Sequence, residues 1–200
     1  NVTYETQSGT NVPRDLVEFP SQVMENWMSE PEVLKLYAKH YQTGEVIPDA
    51  LIKKMNDANS FNQGFVNVEY MAAAYLDMYY HTIKDMEPRD ARVFEKEQMD
   101  KLGLTEEIVP RYRSGYFNHI FSDPVGYSSG YYSYKWSEVL DADAFQAFKE
   151  AGSIFDPATA KKYRHMLAQG GSKEGMELYV EFRGSEPEID PLLVKLGIKK

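Results

Sequence analysis

An all-α fold is what this chain predicts. Apolar residues recur at three and four positions through most of its length, strand-like alternation is almost absent, and Pro and Gly punctuate the periodic runs at helix-length intervals. Two hundred residues, 42% of them hydrophobic, suffice to bury a core in one domain or in part of a larger one, and no repeat or low-complexity linker divides them. The expectation is one helical unit over residues 1–200.

The elements follow in order. Residues 13–28 place Leu16, Val17, Val23, Met24 and Trp27 near one helical face, with Pro20 expected to kink the helix just after Glu18. A helix over 32–41 follows, with Pro31 near its start and Gly44 beyond its end. Residues 48–59 form the next, with Ile47, Leu51, Ile52 and Met55 on its apolar side. The longest periodic run is 62–85, where Phe65, Val68, Tyr70-Met71, Tyr75, Met78 and Tyr79 recur at three and four residues and Ala72-Ala73-Ala74 offers a small-residue patch for close approach. Residues 90–102 read as a charged helix ended by Gly103, and 111–126 as the least helical tract. Helices are expected over 127–151, over 157–168 with Asp156 as cap, and over 174–183 and 191–196.

Bulk chemistry narrows the function. A net charge of −9 argues against a nucleic acid or an anionic membrane as partner, and Lys199-Lys200 is too short a basic run to reverse that. No apolar run reaches the roughly 20 residues that span a bilayer, and no signal-peptide pattern opens the chain. With no cysteine there is neither a disulfide framework nor a Cys-based zinc site. That fits a reducing cytoplasm, with a periplasm as the alternative. The Asn1-Val2-Thr3 match to a glycosylation acceptor is discounted as chance.

Two constellations carry chemistry. Glu18 lies beside Leu16, Val17 and Phe19, with Asp15 three residues earlier on the same helical face. On its own a lone Glu there reads as an ordinary exposed helix residue. The second constellation runs from Arg111 through Arg113 and His119 to Tyr134. Tyr127, Tyr131 and Tyr134 stand at i, i+4 and i+7, which would align their phenols on one face of a helix. A phenol with its ordinary pKa near 10 can donate a hydrogen bond to a developing oxyanion at neutral pH. Aromatic packing is the plainer reading of the same residues, with Tyr132 and Trp136 the better core candidates. His40, His81 and His165 have no His or Cys at ligand spacing and read as surface or core residues.

The stretch GTNVPRDLVEFPSQ, Gly9 to Gln22, resembles the element G-T-x-V-x-R-D-F-V-E-x-P-S-Q of the thimet oligopeptidase and peptidyl-dipeptidase family of zinc metallopeptidases, with Leu16 where Phe is usual. VPRYRSGYFNHIF and GYSSGYYSYKW resemble two further segments of its peptidyl-dipeptidase branch, joined here by Ser122-Asp123-Pro124-Val125-Gly126 in place of a glycine run. Weaker likenesses at 37–44, 60–65 and 170–173 extend the resemblance over essentially the whole chain. It implies the helical C-terminal portion of a zincin-like catalytic domain, with Glu18 as third zinc ligand and Asp15 behind it. It further implies Tyr134 and Tyr131 as donors to the scissile carbonyl oxygen, and His119 and Tyr127 as substrate contacts. Arg111 and Arg113 are candidates to hold a substrate C-terminal carboxylate, with a structural salt bridge as the alternative for either.

The two histidine ligands of such a site belong to an H-E-x-x-H helix, and these 200 residues contain no such motif. The expectation is a piece of a zinc peptidyl-dipeptidase that is inactive and metal-free alone. Its partners would be short peptides and the N-terminal part of the same enzyme, present in the same or a separate polypeptide. The competing expectation is a non-catalytic helical peptide-binding module.

Overall fold

The computed structural model describes residues 2–85 and 87–199. Asn1, Met86 and Lys200 lie outside them, and with them part of the Asn1-Val2-Thr3 match and of the Lys199-Lys200 run. Among the described residues the regular structure is helical, and the one β-type pairing is an isolated bridge between Lys39 and Val46. The helices are α1 (Arg14–Val17), α2 (Phe19–Glu25), α3 (Pro31–Tyr37), α4 (Asp49–Asn59), α5 (Gln63–His81), α6 (Ala91–Leu102), α7 (Asn118–Phe121), α8 (Ser133–Glu150), α9 (Pro157–Ala168), α10 (Gly175–Arg183) and α11 (Asp190–Lys195).

The chain folds as two compact units, one of residues 1–61 and 136–200 and one of Asn62–Lys135. In the first unit, Leu16, Phe19 and Val23 meet Leu140, Ala144 and Phe148 of α8, Tyr163 and Met166 of α9, and Leu178, Tyr179 and Phe182 of α10. The i, i+4, i+8 spacing of the three α8 residues supplies one continuous apolar face, as helical periodicity requires. Phe19 packs edge-on against Tyr163 and Tyr179, with ring centres 6.0 and 5.6 Å apart. Trp136, expected in a core, packs partly buried against this cluster.

Pro20 shapes the entry to that core. Its ring conflicts with a carbonyl four residues back and it offers no N–H, so one helix cannot run through it. The helix stops at Glu18 and restarts with Pro20 in the first turn of α2, where the missing donor is harmless. The expected kink is thus a one-residue interruption at Glu18, whose own backbone angles stay helical.

In the second unit, Ala72, Ala73, Ala74 and Leu76 of α5 pack with Met99 of α6 and with Phe117, Ile120 and Tyr131. The alanine patch is thus the buried side of α5. Of the periodic residues on which the helix is legible, Phe65, Val68, Tyr75 and Met78 are exposed, while Tyr70 and Tyr79 pack partly buried against this core. Asp90 caps α6 by accepting from the Arg92 and Val93 amides at 2.9 and 3.1 Å, and Gly103 ends it in the left-handed conformation. One expectation fails here. Residues 127–132 form turns, and α8 begins only at Ser133. Tyr132, lacking a helix to turn it inward, is exposed.

Candidate active-site residues

Glu18 stands at the break between α1 and α2, half-buried, with helical backbone angles of φ −89° and ψ −14°. Leu16 on one side and Phe19 on the other are sunk in the core, so the backbone carrying the carboxylate is anchored at both ends. Its carbonyl accepts from the Gln22 amide at 3.1 Å and from Ser21 Oγ at 2.9 Å. Two acceptors nearby in sequence, Asp15 Oδ1 and Gln22 Oε1, are buried with no hydrogen-bond partner. Asp15 was a candidate on spacing; Gln22 was not.

Glycines seat this stretch. The Gly171 amide donates to the Gln7 carbonyl at 2.8 Å. A Cβ on Gly170 would lie 2.2 Å from the Gln7 carbonyl oxygen, and one on Gly171 would lie 2.4 Å from that of Asn11. Only a residue without a side chain lets the two backbones approach so closely. A cavity of about 340 Å³ opens beside α1, lined in part by Val12, Leu16, Pro20, Met166 and Leu178. A larger one in the same unit, about 550 Å³, is lined by Asp143, Lys149, Glu150, Arg183 and Lys195 among others. Its cations are already paired: Arg183 with Asp143 and Glu150, Lys149 with Glu30, and Lys195 with Asp141. We give it no role.

The second unit gathers its aromatic candidates without the expected helix. Tyr127 and Tyr134 stack at 5.4 Å with an interplanar angle of 9°, and Tyr131 meets Tyr134 edge-on at 5.3 Å. His119 lies 5.9 Å from Tyr127 and 5.8 Å from Tyr131. Tyr131 is almost fully buried at 3% exposure, whereas Tyr127 and Tyr134 are half-buried. Burial pushes the Tyr131 phenol up to about 12, against smaller opposing effects from Arg111 and a hydrogen bond with Tyr70. It is therefore a neutral donor at any ordinary pH. His119 Nδ1 is buried without a partner.

The loop that carries these residues is tied at both ends by buried carboxylates. Glu95 of α6 accepts from the Ser114 amide and hydroxyl at 2.7 and 2.8 Å and from Arg113 Nε. Burial raises the Glu95 carboxyl, but these bonds outweigh it and hold the group below the usual glutamate range. Asp77 of α5 accepts from the Ser129 and Tyr131 amides at 3.0 and 2.9 Å. Between the ties, the Asp123 carboxylate accepts from the Val125 and Gly126 amides at 2.7 and 2.8 Å, closing a tight turn in the stretch that stands in place of a glycine run.

The two arginine candidates part company. Arg113 is engaged with Glu95, while the Arg111 guanidinium is exposed and lies 5.1 Å from the centre of the Tyr70 ring. Lys135 Nζ lies 5.0 Å from the same ring and donates to Asn67 Oδ1 at 2.8 Å. Sequence reasoning missed Asp77, Tyr70 and Lys135 as parts of this region. Asp77 alone left a signal, as an acid in the most apolar stretch of α5.

Glu18 and the tyrosine cluster thus belong to different units, each built as a fixed helical support for polar groups. The contacts of His40 and His165 are with residues close in sequence, while His81 bonds Asp77 within α5 and lies 6.1 Å from the Phe121 ring. Among the described residues no group of three or more His, Cys, Asp or Glu could hold a metal ion, and no helix is long and apolar enough to cross a membrane.

The class is that of the peptidases: the chain belongs to peptidase family M3, whose model matches residues 1–198. It is 41% identical over 201 residues to the dipeptidyl carboxypeptidase of Escherichia coli (strain K12), covering 98% of this chain and 29% of that protein. It is 40% identical over 197 residues to a probable cytosolic oligopeptidase A of Arabidopsis thaliana (94% and 27%), and 39% identical over 194 residues to oligopeptidase A of E. coli (95% and 28%). The chain therefore spans less than a third of the length of these relatives.

Proposed function

We propose that this chain is the C-terminal part of the catalytic domain of a zinc-dependent peptidyl-dipeptidase, a hydrolase of short peptides that acts in the cytoplasm. The observation that carries the reading is the convergence of Tyr127, Tyr131, Tyr134 and His119 in one aromatic cluster, two of the phenols half-exposed. The match over 98% of the chain to a dipeptidyl carboxypeptidase supports it.

A catalytic zinc needs three protein ligands and an open position. Glu18 brings one carboxylate, and the described residues hold no group that could complete the set. These residues do not by themselves make a zinc site, so no step is derived through the metal. The 200 residues alone are expected to hold no stoichiometric zinc and to lack activity; the H-E-x-x-H helix must come from elsewhere in the enzyme. The orphaned acceptors Asp15 Oδ1 and Gln22 Oε1 suit groups that would orient such ligands.

The chain's own contribution is to bind and polarise the peptide. Tyr134 donates to the oxygen of the scissile carbonyl as negative charge develops there. Tyr131, behind it and held neutral, assists. His119 and Tyr127 hold the peptide beside the cleaved bond. With Arg113 taken up by Glu95, the anchor for the substrate's C-terminal carboxylate falls to Arg111, with Lys135 as second cation on the same ring.

The test is Tyr134→Phe in an active enzyme containing this chain. We expect kcat to fall about 10²- to 10³-fold, the cost of one oxyanion donor, with zinc content unchanged. Glu18→Ala should lose zinc and activity together. A silent Tyr134→Phe removes the tyrosine from the mechanism and leaves a peptide-binding module as the better reading of the cluster.

A further inference from the structure

The tyrosine cluster depends on a turn that its own sequence does not favour. Ser129 sits at φ +54°, a left-handed conformation that a residue with a Cβ seldom adopts. Gly130 closes the turn by donating to the Tyr127 carbonyl at 2.8 Å, and Ser128 Oγ donates to the Ile120 carbonyl at 3.0 Å. Neither bond holds Ser129 itself. That is done by Asp77, whose two carboxylate oxygens each take one amide, Ser129 N on Oδ1 and Tyr131 N on Oδ2.

Asp77 has no solvent exposure at all, and its remaining partner is His81, with Nδ1 2.8 Å from Oδ1. A carboxylate in the apolar middle of a helix is costly unless every oxygen is engaged, so its partners hold it as firmly as it holds them. The residue it fixes is the hub of the cluster. The Tyr131 ring contacts Phe117 at 4.9 Å, Tyr134 at 5.3 Å, Tyr70 at 5.5 Å and His119 at 5.8 Å. Displacing the Tyr131 backbone therefore displaces the rings packed on it, including the half-exposed phenols.

We propose that Asp77 is a positioning residue for this site: through the Ser129 and Tyr131 amides it sets where the Tyr134 and Tyr127 hydroxyls meet the substrate. The proposal rests on the catalytic reading of those tyrosines. An Asn at this position would turn one acceptor into an N–H₂ donor facing an amide donor, breaking one tie while conserving size.

The experiment is a double-mutant cycle in an active enzyme containing this chain, measuring kcat and KM for D77N, Tyr134→Phe and the pair. We expect D77N to lower kcat by about 10- to 100-fold with KM within about threefold. On the Tyr134→Phe background it should lower kcat by less than about threefold, because the oxyanion donor it positions is already gone and Tyr127 holds the peptide rather than the developing charge. Amide hydrogen exchange should quicken at 128–132 while 113–114, tied by Glu95, keeps its protection. Should D77N fail to fold, an ester in place of the Tyr131 amide removes one tie with Asp77 intact and should act in the same direction. Full additivity with Tyr134→Phe, exchange quickened evenly along the chain, or an unchanged kcat overturns the proposal. If Tyr134→Phe alone is silent, the catalytic reading fails instead; protection at 128–132 then still reports whether Asp77 holds the turn.

Discussion

Both units are built on clustered aromatic rings, yet the rings do different work. In the unit that carries Glu18, Phe19, Phe148, Tyr163, Tyr179 and Phe182 pack edge to face out of reach of solvent. The Tyr179 hydroxyl turns inward, donating to Asp143 at 2.6 Å, and its phenol is pushed far up by burial and that carboxylate. In the unit that carries His119, the rings of Tyr127 and Tyr134 keep one side open, and Tyr131 alone is closed in. The first cluster holds one carboxylate steady by burying the residues on either side of it. The second keeps Tyr127 and Tyr134 half-buried, and its loop is held by the buried carboxylates of Glu95 and Asp77. Tyrosine content alone does not distinguish the two clusters; the depth at which each residue lies does.

The largest effect expected from this contrast is on stability in the first unit. Phe19→Ala should cost about 3–5 kcal/mol, the usual range for emptying a fully buried phenylalanine site, read by denaturant unfolding. Tyr134→Phe should stay within about 1 kcal/mol of wild type in the same measurement, since it removes only a hydroxyl. Equal losses from the two would erase the distinction between core and site. Gly171→Ala comes next. Its new Cβ meets a backbone oxygen that cannot swing away. A loss of about 1–3 kcal/mol is expected, as for overpacked sites, together with weaker zinc binding in an active enzyme because the 7–16 stretch leading to Glu18 shifts. A neutral Gly171→Ala would show that this stretch is not seated by the glycine pair.

The smallest effect is on acid stability of the second unit. The Glu95 carboxyl is held below its ordinary value of 4.5 in the folded chain. Its contribution is therefore complete above the ordinary glutamate range and is lost as the pH falls through the lowered folded value. Glu95→Gln should flatten the acid limb of the stability profile and leave the slope above pH 6 unchanged. An unaltered acid limb would mean that Glu95 ties the 113–114 backbone through geometry alone.

Much was legible before any coordinates. The all-α class follows from periodicity over long segments, because each helix must turn one apolar stripe inward. The ends of α6 and α9 were readable because Asp90, Gly103 and Asp156 act within a few residues of themselves. Membership of a peptidase family was readable from GTNVPRDLVEFPSQ and GYSSGYYSYKW, since both stretches are local. What failed was also local in appearance. Tyr127, Tyr131 and Tyr134 have helical spacing, but a turn brings Tyr127 and Tyr131 to Tyr134, because the Ser129 and Tyr131 amides are claimed by Asp77, over fifty residues away. Phe65, Val68, Tyr75 and Met78 signalled α5, yet the opposite, alanine-rich side is the one buried within the unit. The sequence by itself determined the helices, their caps and the family, since these rest on spacing between near neighbours. Only the tertiary structure decided which tyrosines keep an open side and which buried acids hold them, because those depend on contacts between residues far apart in the chain.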